Sequence, residues 1–355
     1  MPCGWLAPGQ LKRFRLQRNE TMSTAIAAAP AAALLEVGNL AVSFNTADGL
    51  VEAVRGVSFK IEPGRTLGIV GESGSGKSVA TQSIVGLTRG ARISGQARFE
   101  GRDLLGLTDE QLRAIRGPGI AMIFQNPMSC LHPLYPIGWQ IIEMIRAHES
   151  VSKARARLRA IDLLARVGIP RPERRVDDYP HQYSGGMLQR AMIAMAIALN
   201  PRVLVADEPT TALDVTVQAQ ILRLLRQLQD EFGTAIIMIT HDLGVIAELA
   251  HEVLVMYAGQ AMEQAPRESL FRQPSHPYTQ GLLRSRPHPE AIGGRLTPIP
   301  GQPPSLIEPP SGCPFQPRCE LSVERCDQPP PAVRPAGGDP SHRTACWLAE
   351  RDGEQ

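Results

Sequence analysis

The run GESGSGKS, at residues 71–78, contains the residue types that bind the phosphates of a nucleotide. It matches the spacing G-x-x-x-x-G-K-[ST] and lies between a short apolar run, TLGIV, and a helix-like segment. Glycines let backbone N–H groups curl around phosphate oxygens, and the start of a helix adds the positive end of its dipole. In such a loop the lysine reaches the β- and γ-phosphates and the hydroxyl ligates Mg²⁺, whereas the alternative is a Gly/Ser turn that matches by chance. The predicted phosphate-binding residues are Gly71, Glu72, Ser73, Gly74, Ser75, Gly76, Lys77 and Ser78.

A second candidate is VLVADE, at residues 203–208, an apolar run that ends in two carboxylates. Ligands of open α/β sheets bind at the carboxyl ends of the strands, so Asp207 is predicted to hold Mg²⁺ there. Glu208 is predicted to polarise a water molecule against the γ-phosphate. A strand end that faces solvent is the usual alternative. The pair gains weight because it follows a phosphate loop in the same chain.

A third candidate is YSGGMLQR, at residues 183–190, which precedes an apolar helical run. Ser184 is predicted to cap this helix, and Gly185 and Gly186 leave the backbone open to an anion. An ordinary capped helix explains these residues equally well. One nucleotide site does not need two phosphate-binding loops, and this chain has two candidates.

Several short apolar runs are predicted to form the strands that position these residues. Runs of this length suit strands buried on both faces of a parallel sheet, and the alternation in LEVGNLAVSF suits a half-buried strand. Residues 127–199 are predicted to be mostly helical, with one helix over 153–167. The fold class is therefore α/β. The predicted strands are 35–44, 54–64, 66–70, 119–125, 203–207, 235–240 and one or more within 252–264.

Composition limits the class of protein. The 355 residues predict two or three structural units, and 43% hydrophobic with 20% charged residues is ordinary for a globular protein. A formal net charge of +2 gives no sign of a nucleic-acid partner. The apolar stretch at 25–35 is short and broken by Pro30, so neither a membrane span nor a secretory signal is expected. We therefore expect a cytoplasmic protein in which residues 1–33 are disordered or weakly structured and Met22 is an alternative start.

The motifs together resemble those of one family. GESGSGKS, Gln125 in IFQNP, YSGGMLQR, VLVADEP, TALD (211–214) and His241 in ITHD occur in the order of an ABC-type ATPase. The stretch from about residue 35 to about residue 260 therefore resembles the nucleotide-binding subunit of an ABC transporter. The resemblance implies a P-loop ABC ATPase core at 34–264 with a mixed or parallel sheet and a helical subdomain at about 127–199.

The resemblance also implies roles for four further residues. Phe44 would stack on adenine, and Gln125 would contact Mg²⁺ and sense a transmembrane partner. Asp214 would lie at a dimer interface, and His241 would contact the γ-phosphate. The ordinary alternatives are a core aromatic, a polar strand end, a helix cap and a structural histidine.

In this family two ATPase subunits pack head to tail, which explains the two phosphate-binding loops. Each ATP lies between the phosphate loop of one chain and the Ser-Gly-Gly of the other, here residues 184–186. Closure of the dimer then needs two ATP molecules, and their hydrolysis lets the dimer open. Such a cycle drives a transporter between inward-facing and outward-facing states.

The tail resembles the extension of oligopeptide and dipeptide importer ATPases, through residues 267–283, 296–306, 312–319 and 342–346. We therefore expect a C-terminal unit at 265–355 and a role in peptide import, with import of nickel or another small solute as the alternative. The implied partners are a second, homologous ATPase, two permease chains and an extracytoplasmic binding protein. The implied location is the cytoplasmic face of the membrane. An ABC ATPase of DNA repair or translation and an efflux ATPase fit less well, because long insertions, a second cassette and fused membrane helices are missing from this sequence.

The tail holds four of the six cysteines, with the spacing C-x₅-C-x₆-C-x₁₉-C. A reducing cytoplasm disfavours disulfides, whereas free thiols or a redox role remain open. Zinc sites favour shorter pairs and are the second choice, and looser spacing suits a [4Fe–4S] cluster, which the resemblance also implies. Residues 296–340 contain 13 of the 31 prolines, which predicts irregular backbone there, and a cluster would supply folding free energy. The predicted cluster ligands are Cys313, Cys319, Cys326 and Cys346.

Overall fold

The computed structural model describes residues 33–210, 214–285, 298–331, 333–336 and 339–349. The expectations for residues 1–32 and for the first three residues of TALD lie outside the described residues. Within this part of the chain, no helix is both long and apolar enough to cross a membrane.

Two sheets account for the strands of the described residues. A four-stranded sheet has the order β2-β1-β4-β5, and an eight-stranded sheet has the order β11-β12-β10-β9-β3-β8-β7-β6. The strands are β1 (Leu35–Thr46), β2 (Gly49–Ile61), β3 (Thr66–Val70), β4 (Ala91–Phe99), β5 (Arg102–Asp103), β6 (Ile120–Ile123), β7 (Val203–Asp207), β8 (Ala235–Ile239), β9 (Glu252–Tyr257), β10 (Gln260–Pro266), β11 (Arg334–Ala336) and β12 (Asp339–Thr344).

Several helices pack on the large sheet. The helices α3 to α7 lie between β6 and β7 in the sequence. The α-helices are α1 (Lys77–Ile84), α2 (Asp109–Ile115), α3 (Pro127–Cys130), α4 (Ile137–His148), α5 (Lys153–Arg166), α6 (Pro172–Arg175), α7 (Gly185–Ile197), α8 (Val215–Phe232), α9 (Leu243–Leu249), α10 (Arg267–Arg272) and α11 (Pro277–Arg284). Short 3₁₀ helices lie at Pro180–Gln182, Gln316–Arg318 and Glu324–Asp327.

The central strands of the large sheet are parallel. Strands β9, β3, β8, β7 and β6 pair in parallel, and every residue of β3, β7 and β8 is buried. This burial explains why these segments are continuous apolar runs rather than alternating ones. The predictions for 66–70, 203–207 and 235–240 are confirmed to within one residue. Because the strands run in parallel, their carboxyl ends meet at one edge of the sheet.

The predicted helical stretch at 127–199 contains α3 to α7. Helix α5 confirms the helix predicted over 153–167 and is capped by Ser152, whose hydroxyl accepts the backbone N–H of Arg155. Its Ala160 and Leu164 are fully buried, whereas its polar face is turned outward. Gly168 follows the helix with a φ of +75°, a conformation that glycine adopts at low cost.

The C-terminal extension joins the large sheet. Strands β11 and β12 form an antiparallel hairpin, and Glu263 of β10 pairs with Thr344 of β12. The prediction of irregular backbone throughout 296–340 was therefore wrong at this hairpin. Proline is tolerated on an edge strand because one side of that strand needs no ladder hydrogen bond, and Pro335 lies on the edge strand β11. Phe315 anchors the rest of the extension, since it is 3% exposed and belongs to the main hydrophobic core.

Candidate functional site

The candidate site lies where four neighbouring parallel strands end. Residues 71–78 follow β3, and His241 follows β8. Asp207 is the last residue of β7, Glu208 comes directly after it, and Gln125 follows β6. The strand order β3-β8-β7-β6 places these loops side by side. The structure thus brings the first two sequence motifs and two of the family-implied residues to one edge of the sheet.

The phosphate loop, residues 71–78, needs glycine at two positions. Gly71 has a φ of +153°, and a Cβ there would lie 2.1 Å from the carbonyl oxygen of Met256. Gly76 has a φ of +92°, and a Cβ there would lie 2.3 Å from the carbonyl oxygen of Ala53. Both contacts are with backbone and have no room to relax. The glycines therefore let the loop curl tightly before α1 begins at Lys77.

Lys77 is directed along the inside of the loop. Its Nζ donates to the carbonyl oxygens of Gly71 and Glu72, both at 2.8 Å, and to the Ser75 hydroxyl at 3.3 Å. The residue is 6% exposed, and burial lowers the pKa of its ammonium, although Glu208 and Asp207 act in the opposite direction. The ammonium can exchange these carbonyl acceptors for phosphate oxygens with little movement.

Ser78 and Asp207 meet across 129 residues of sequence. The Ser78 hydroxyl donates to Oδ1 of Asp207 at 2.8 Å. Asp207 is 4% exposed, and burial raises its pKa, while the Ser78 hydrogen bond opposes that rise. A hydroxyl and a carboxylate oxygen side by side are hard oxygen donors of the kind that Mg²⁺ takes beside nucleotide phosphates.

Glu208 lies between the residues that follow the two neighbouring strands. Its Oε2 accepts a hydrogen bond from Nε2 of Gln125 at 3.0 Å, and its Oε1 lies 3.2 Å from Nδ1 of His241. The backbone of Glu208 has a φ of +47°, the left-handed region, which is uncommon for a residue with a Cβ. Strain of this kind persists where the surroundings fix it, as at active sites. Here the backbone N–H of Glu208 donates to the carbonyl of Ile239 at 2.8 Å.

The Ser-Gly-Gly motif begins helix α7. The Ser184 hydroxyl accepts the backbone N–H of Met187 at 3.4 Å, as an N-cap does. Within the described residues no hydrogen bond joins Ser184 to the phosphate loop of the same chain. Gln189 connects this helix to the carboxyl end of β7, because its Nε2 donates to the carbonyl of Pro209 at 2.7 Å.

Two family-implied residues lie outside the hydrogen-bonded cluster. Asp214 caps helix α8, with Oδ1 accepting the backbone N–H of Val217 at 2.9 Å. Phe44 lies on β1, partly buried, and pairs with Val51 of β2. Strand β2 reaches the phosphate loop two residues later, where the carbonyl of Ala53 packs against Gly76. Phe44 is therefore placed near the loop through the register of the small sheet.

The four tail cysteines line one cavity, which we call the cysteine pocket. Its lining also includes His276, Phe315 and Trp347. Burial raises the pKa of Cys313 to about 11 and also raises the pKa of Cys319 and Cys346, so a metal would have to displace protons from these thiols. In the part of the chain that the structure describes, no three His, Cys, Asp or Glu side chains converge closely enough to hold a metal ion. This observation counts equally against zinc and against an iron–sulfur cluster, because either metal centre needs thiolates that converge on it.

Two buried donors in the lining of the cysteine pocket have no acceptor within the described residues: Nε2 of His276 and Nε1 of Trp347. Nδ1 of His276 accepts the backbone N–H of Tyr278 at 3.0 Å, and burial lowers the pKa of this histidine to about 4, so Nε2 carries the ring proton. Unpaired buried donors are costly. An anionic, sulfur-rich group in the pocket would supply acceptors for both, so the lining fits a group of that chemistry.

The sequence did not reveal one contact of the phosphate loop. Arg318, within GCPFQPRC, forms a two-point ion pair with the side chain of Glu72. Glu72 was predicted as one of the nucleotide-binding residues, but its carboxylate is engaged by the C-terminal extension. The phosphate-loop motif fixes the type of its lysine and glycines but leaves the second residue open, so the sequence held no signal for this pair.

Comparison with known proteins identifies two regions of the chain. Residues 54–211 match the family model described as ABC transporter. Residues 262–326 match the model described as oligopeptide/dipeptide transporter, C-terminal region.

Several known proteins are similar over most of their length. The dipeptide transport ATP-binding protein DppD of Bacillus subtilis is 49% identical over 326 residues, which is 90% of this chain and 96% of that protein. The oligopeptide transport ATP-binding protein OppD of Salmonella typhimurium is 50% identical over 303 residues, covering 85% and 90%. Among solved structures, the dimeric post-hydrolysis state of the ATP-binding cassette MJ0796, bound to ADP and phosphate, has a TM-score of 0.60 at 28% identity. That match covers 66% of this chain and 98% of the cassette.

Proposed function

Because the chain belongs to the ABC transporter family and carries the C-terminal region of oligopeptide and dipeptide transporters, we propose that it is the ATP-hydrolysing subunit that energises peptide import. One observation carries the proposal: Glu208 is held between Gln125 and His241 beside the Ser78–Asp207 pair. This arrangement supports the proposed roles of Glu208 as general base and of Ser78 and Asp207 as Mg²⁺ ligands beside the phosphate loop.

The residues divide the work of ATP hydrolysis. The phosphate-loop backbone and Lys77 hold the phosphates, and Ser78, Asp207 and Gln125 hold the Mg²⁺ that accompanies ATP. Glu208 accepts a proton from the attacking water, and His241 fixes the direction of that carboxylate and contacts the γ-phosphate. Phe44 stacks on the adenine. Each role is a proposal, supported by the position of the residue at or beside the carboxyl edge.

The second phosphate-binding motif serves a partner chain. Residues 184–186 bind the γ-phosphate of an ATP held by another subunit, and Asp214 lies at that interface. The support is that Ser184 caps α7 without a hydrogen bond to the phosphate loop of its own chain in the described residues. The partner is a homologous second ATPase, and the assembly includes two permease chains and an extracytoplasmic binding protein. The chain itself lies at the cytoplasmic face of the membrane.

The domain division follows the same functions. Residues 34–264 form the ATPase domain, with the helical subdomain at about 127–199, and residues 265–355 form the importer extension. Nickel or another small solute is the alternative cargo. Peptide is favoured by the names of the relatives, which are dipeptide and oligopeptide transport proteins.

The cysteine pocket holds a [4Fe–4S] cluster with a structural role. The support is that all four thiols line one pocket, together with the orphaned donors of His276 and Trp347. A cluster would cross-link four positions between residues 313 and 346, which supplies folding free energy to a proline-rich tail. Zinc is the alternative metal. It fits less well because zinc sites favour shorter cysteine pairs than those of this tail.

Co-purification and uptake test this function. A tagged chain isolated from solubilised membranes of its own cells should bring two permeases and a homologous ATPase, whereas ribosomes or DNA would contradict the transport role. Uptake of a labelled tripeptide should be lost in cells that carry Lys77→Ala. Loss of nickel-63 uptake with unchanged tripeptide uptake would overturn the peptide assignment and keep the ATPase.

A further inference from the structure

The C-terminal extension contacts the phosphate loop through a partly buried ion pair between Arg318 and Glu72. Nη1 of Arg318 donates to Oε2 of Glu72 at 2.8 Å, and Nη2 donates to Oε1 at 3.1 Å. The two residues are 246 positions apart in sequence. Two parallel N–H···O bonds give a guanidinium–carboxylate pair a fixed geometry as well as strength. The pair therefore fixes the orientation of the Glu72 side chain in addition to neutralising its charge.

The guanidinium of Arg318 also donates hydrogen bonds to groups other than Glu72. Its Nε donates to the carbonyl of Pro300 at 2.7 Å, and Nη1 also donates to the Tyr257 hydroxyl at 3.1 Å. Its side chain is 5% exposed and that of Glu72 is 24% exposed, so solvent reaches the pair only from the carboxylate side. A charge in this position must be paired, because removing one partner leaves the other buried without compensation.

Glu72 passes this restraint to the phosphate-binding lysine. Its backbone N–H donates to the hydroxyl of Tyr278 at 2.9 Å, and its carbonyl accepts Nζ of Lys77 at 2.8 Å. The side chain, the amide and the carbonyl of Glu72 are thus all engaged. The residue that pairs with Arg318 is therefore the residue whose carbonyl holds Lys77.

The backbone of Arg318 is fixed by the segment that carries the first two tail cysteines. The amide of Cys313 donates to the carbonyl of Cys326 at 2.8 Å, and the amide of Cys319 donates to the carbonyl of Gln316 at 3.1 Å. The amide of Arg318 donates to the carbonyl of Phe315 at 3.0 Å. These turns place Arg318 next to the cysteine pocket.

We propose that Arg318 is a positioning residue for ATP binding, which couples the order of the cysteine-bearing extension to the phosphate loop through Glu72. The inference rests on the proposed role of that loop in binding ATP. It goes further by making the extension part of the nucleotide site. If the pair only anchors the tail, its loss lowers the unfolding temperature and leaves ATP affinity unchanged.

The test measures the Kd of a fluorescent ATP analogue for the full chain, together with its unfolding temperature. Arg318→Met, which removes the charge and keeps the aliphatic stem, should raise Kd about tenfold, since a charged hydrogen-bonded pair is lost. Arg318→Lys keeps the positive charge but does not form two parallel hydrogen bonds. Its Kd should lie between those of the wild type and Arg318→Met. In the assembled transporter, KM for ATP should rise with kcat within about twofold of the wild-type value, because Arg318 does not touch the reacting atoms.

Glu72→Gln tests the other side of the pair. It should raise Kd about fivefold, and the double variant should bind no more weakly than Arg318→Met alone, because both changes remove one interaction. The control is Arg157→Met on α5, which breaks a two-point pair with Asp177 away from the loop. Its Kd should stay within about twofold of the wild-type value.

A Kd for Arg318→Met within twofold of the wild-type value overturns the proposal. So does a double variant whose fold increase in Kd equals the product of the two single-variant increases, because the two changes then act independently. If Arg318→Met fails to fold, Glu72→Gln decides, and an unchanged Kd for that variant has the same meaning. Lys77→Ala separates the two levels of inference. If Lys77→Ala leaves analogue binding unchanged, the proposed function itself fails; if it abolishes binding while Arg318 variants do not alter it, only this inference fails.

Discussion

Nδ1 of His241 lies 3.2 Å from Oε1 of Glu208, and this contact joins residues that follow two neighbouring parallel strands, β8 and β7. Because a carboxylate only accepts hydrogen bonds, His241 donates in this pair. The second carboxylate oxygen accepts from Gln125, which follows β6. The carboxylate is therefore oriented from both sides by strands that the core holds rigid.

Replacing Glu208 with Gln should separate binding from hydrolysis. The amide keeps the shape of the side chain but does not accept a proton from water, so turnover should fall on the order of 10²-fold or more. ATP binding should remain. Steady-state hydrolysis by the assembled ATPase pair measures the loss, and wild-type-like turnover would remove Glu208 from the role of general base.

Lys77→Ala should instead weaken nucleotide binding. The change removes the ammonium that lies inside the phosphate loop, and charged hydrogen bonds to phosphate are each worth about 1.5–3 kcal/mol, or at least tenfold in Kd. Titration with a fluorescent ATP analogue measures the change. Lys60→Ala, on the exposed side of β2, is the matched control and should bind normally. Equal Kd values for both variants would contradict the assignment.

The isolated chain should hydrolyse ATP poorly. If the Ser-Gly-Gly of a partner completes the nucleotide site, as we propose, a single chain has only part of it; Ser184 of this chain caps α7. Light scattering during turnover, with and without the second ATPase, measures both association and rate. Robust hydrolysis by a strictly monomeric sample would rule out the shared site.

The cysteine pocket should bind iron and sulfide in protein purified without oxygen. Iron, sulfide and zinc analysis with a visible spectrum measures the content. Cys319→Ser should lose the iron and lower the unfolding temperature, because the cross-link of the extension is lost. Cys130→Ser, a cysteine outside the pocket, should change neither. One zinc per chain without sulfide, or no metal at all, would contradict the cluster.

Much of the core and most of the candidate edge could be predicted from the sequence. Strands β3, β7 and β8 are continuous apolar runs because they are buried on both faces, and the motifs follow them directly. The motifs also give residue types whose chemistry is specific, as for Lys77 and Asp207. Short-range patterns therefore carried the prediction wherever burial or phosphate chemistry fixes the residue type.

Other parts of the fold depend on contacts that a local pattern does not contain. Strand β4 has mostly exposed side chains, and β12 reads DPSHRT, so neither shows the apolar signal of a strand. Both are strands because a neighbour supplies a ladder of hydrogen bonds: β1 for β4 and β10 for β12. The Arg318–Glu72 pair spans 246 residues and is likewise invisible in a local window.

The most direct test of the central claim is peptide-dependent ATP hydrolysis by the complete transporter in lipid vesicles. Hydrolysis and uptake of labelled peptide are measured with and without the peptide-loaded binding protein, for the wild-type chain and for Glu208→Gln. The account predicts that the loaded binding protein stimulates hydrolysis, and that Glu208→Gln lowers both hydrolysis and uptake by at least about tenfold. Hydrolysis that is indifferent to peptide, or uptake that continues unchanged with Glu208→Gln, would contradict it.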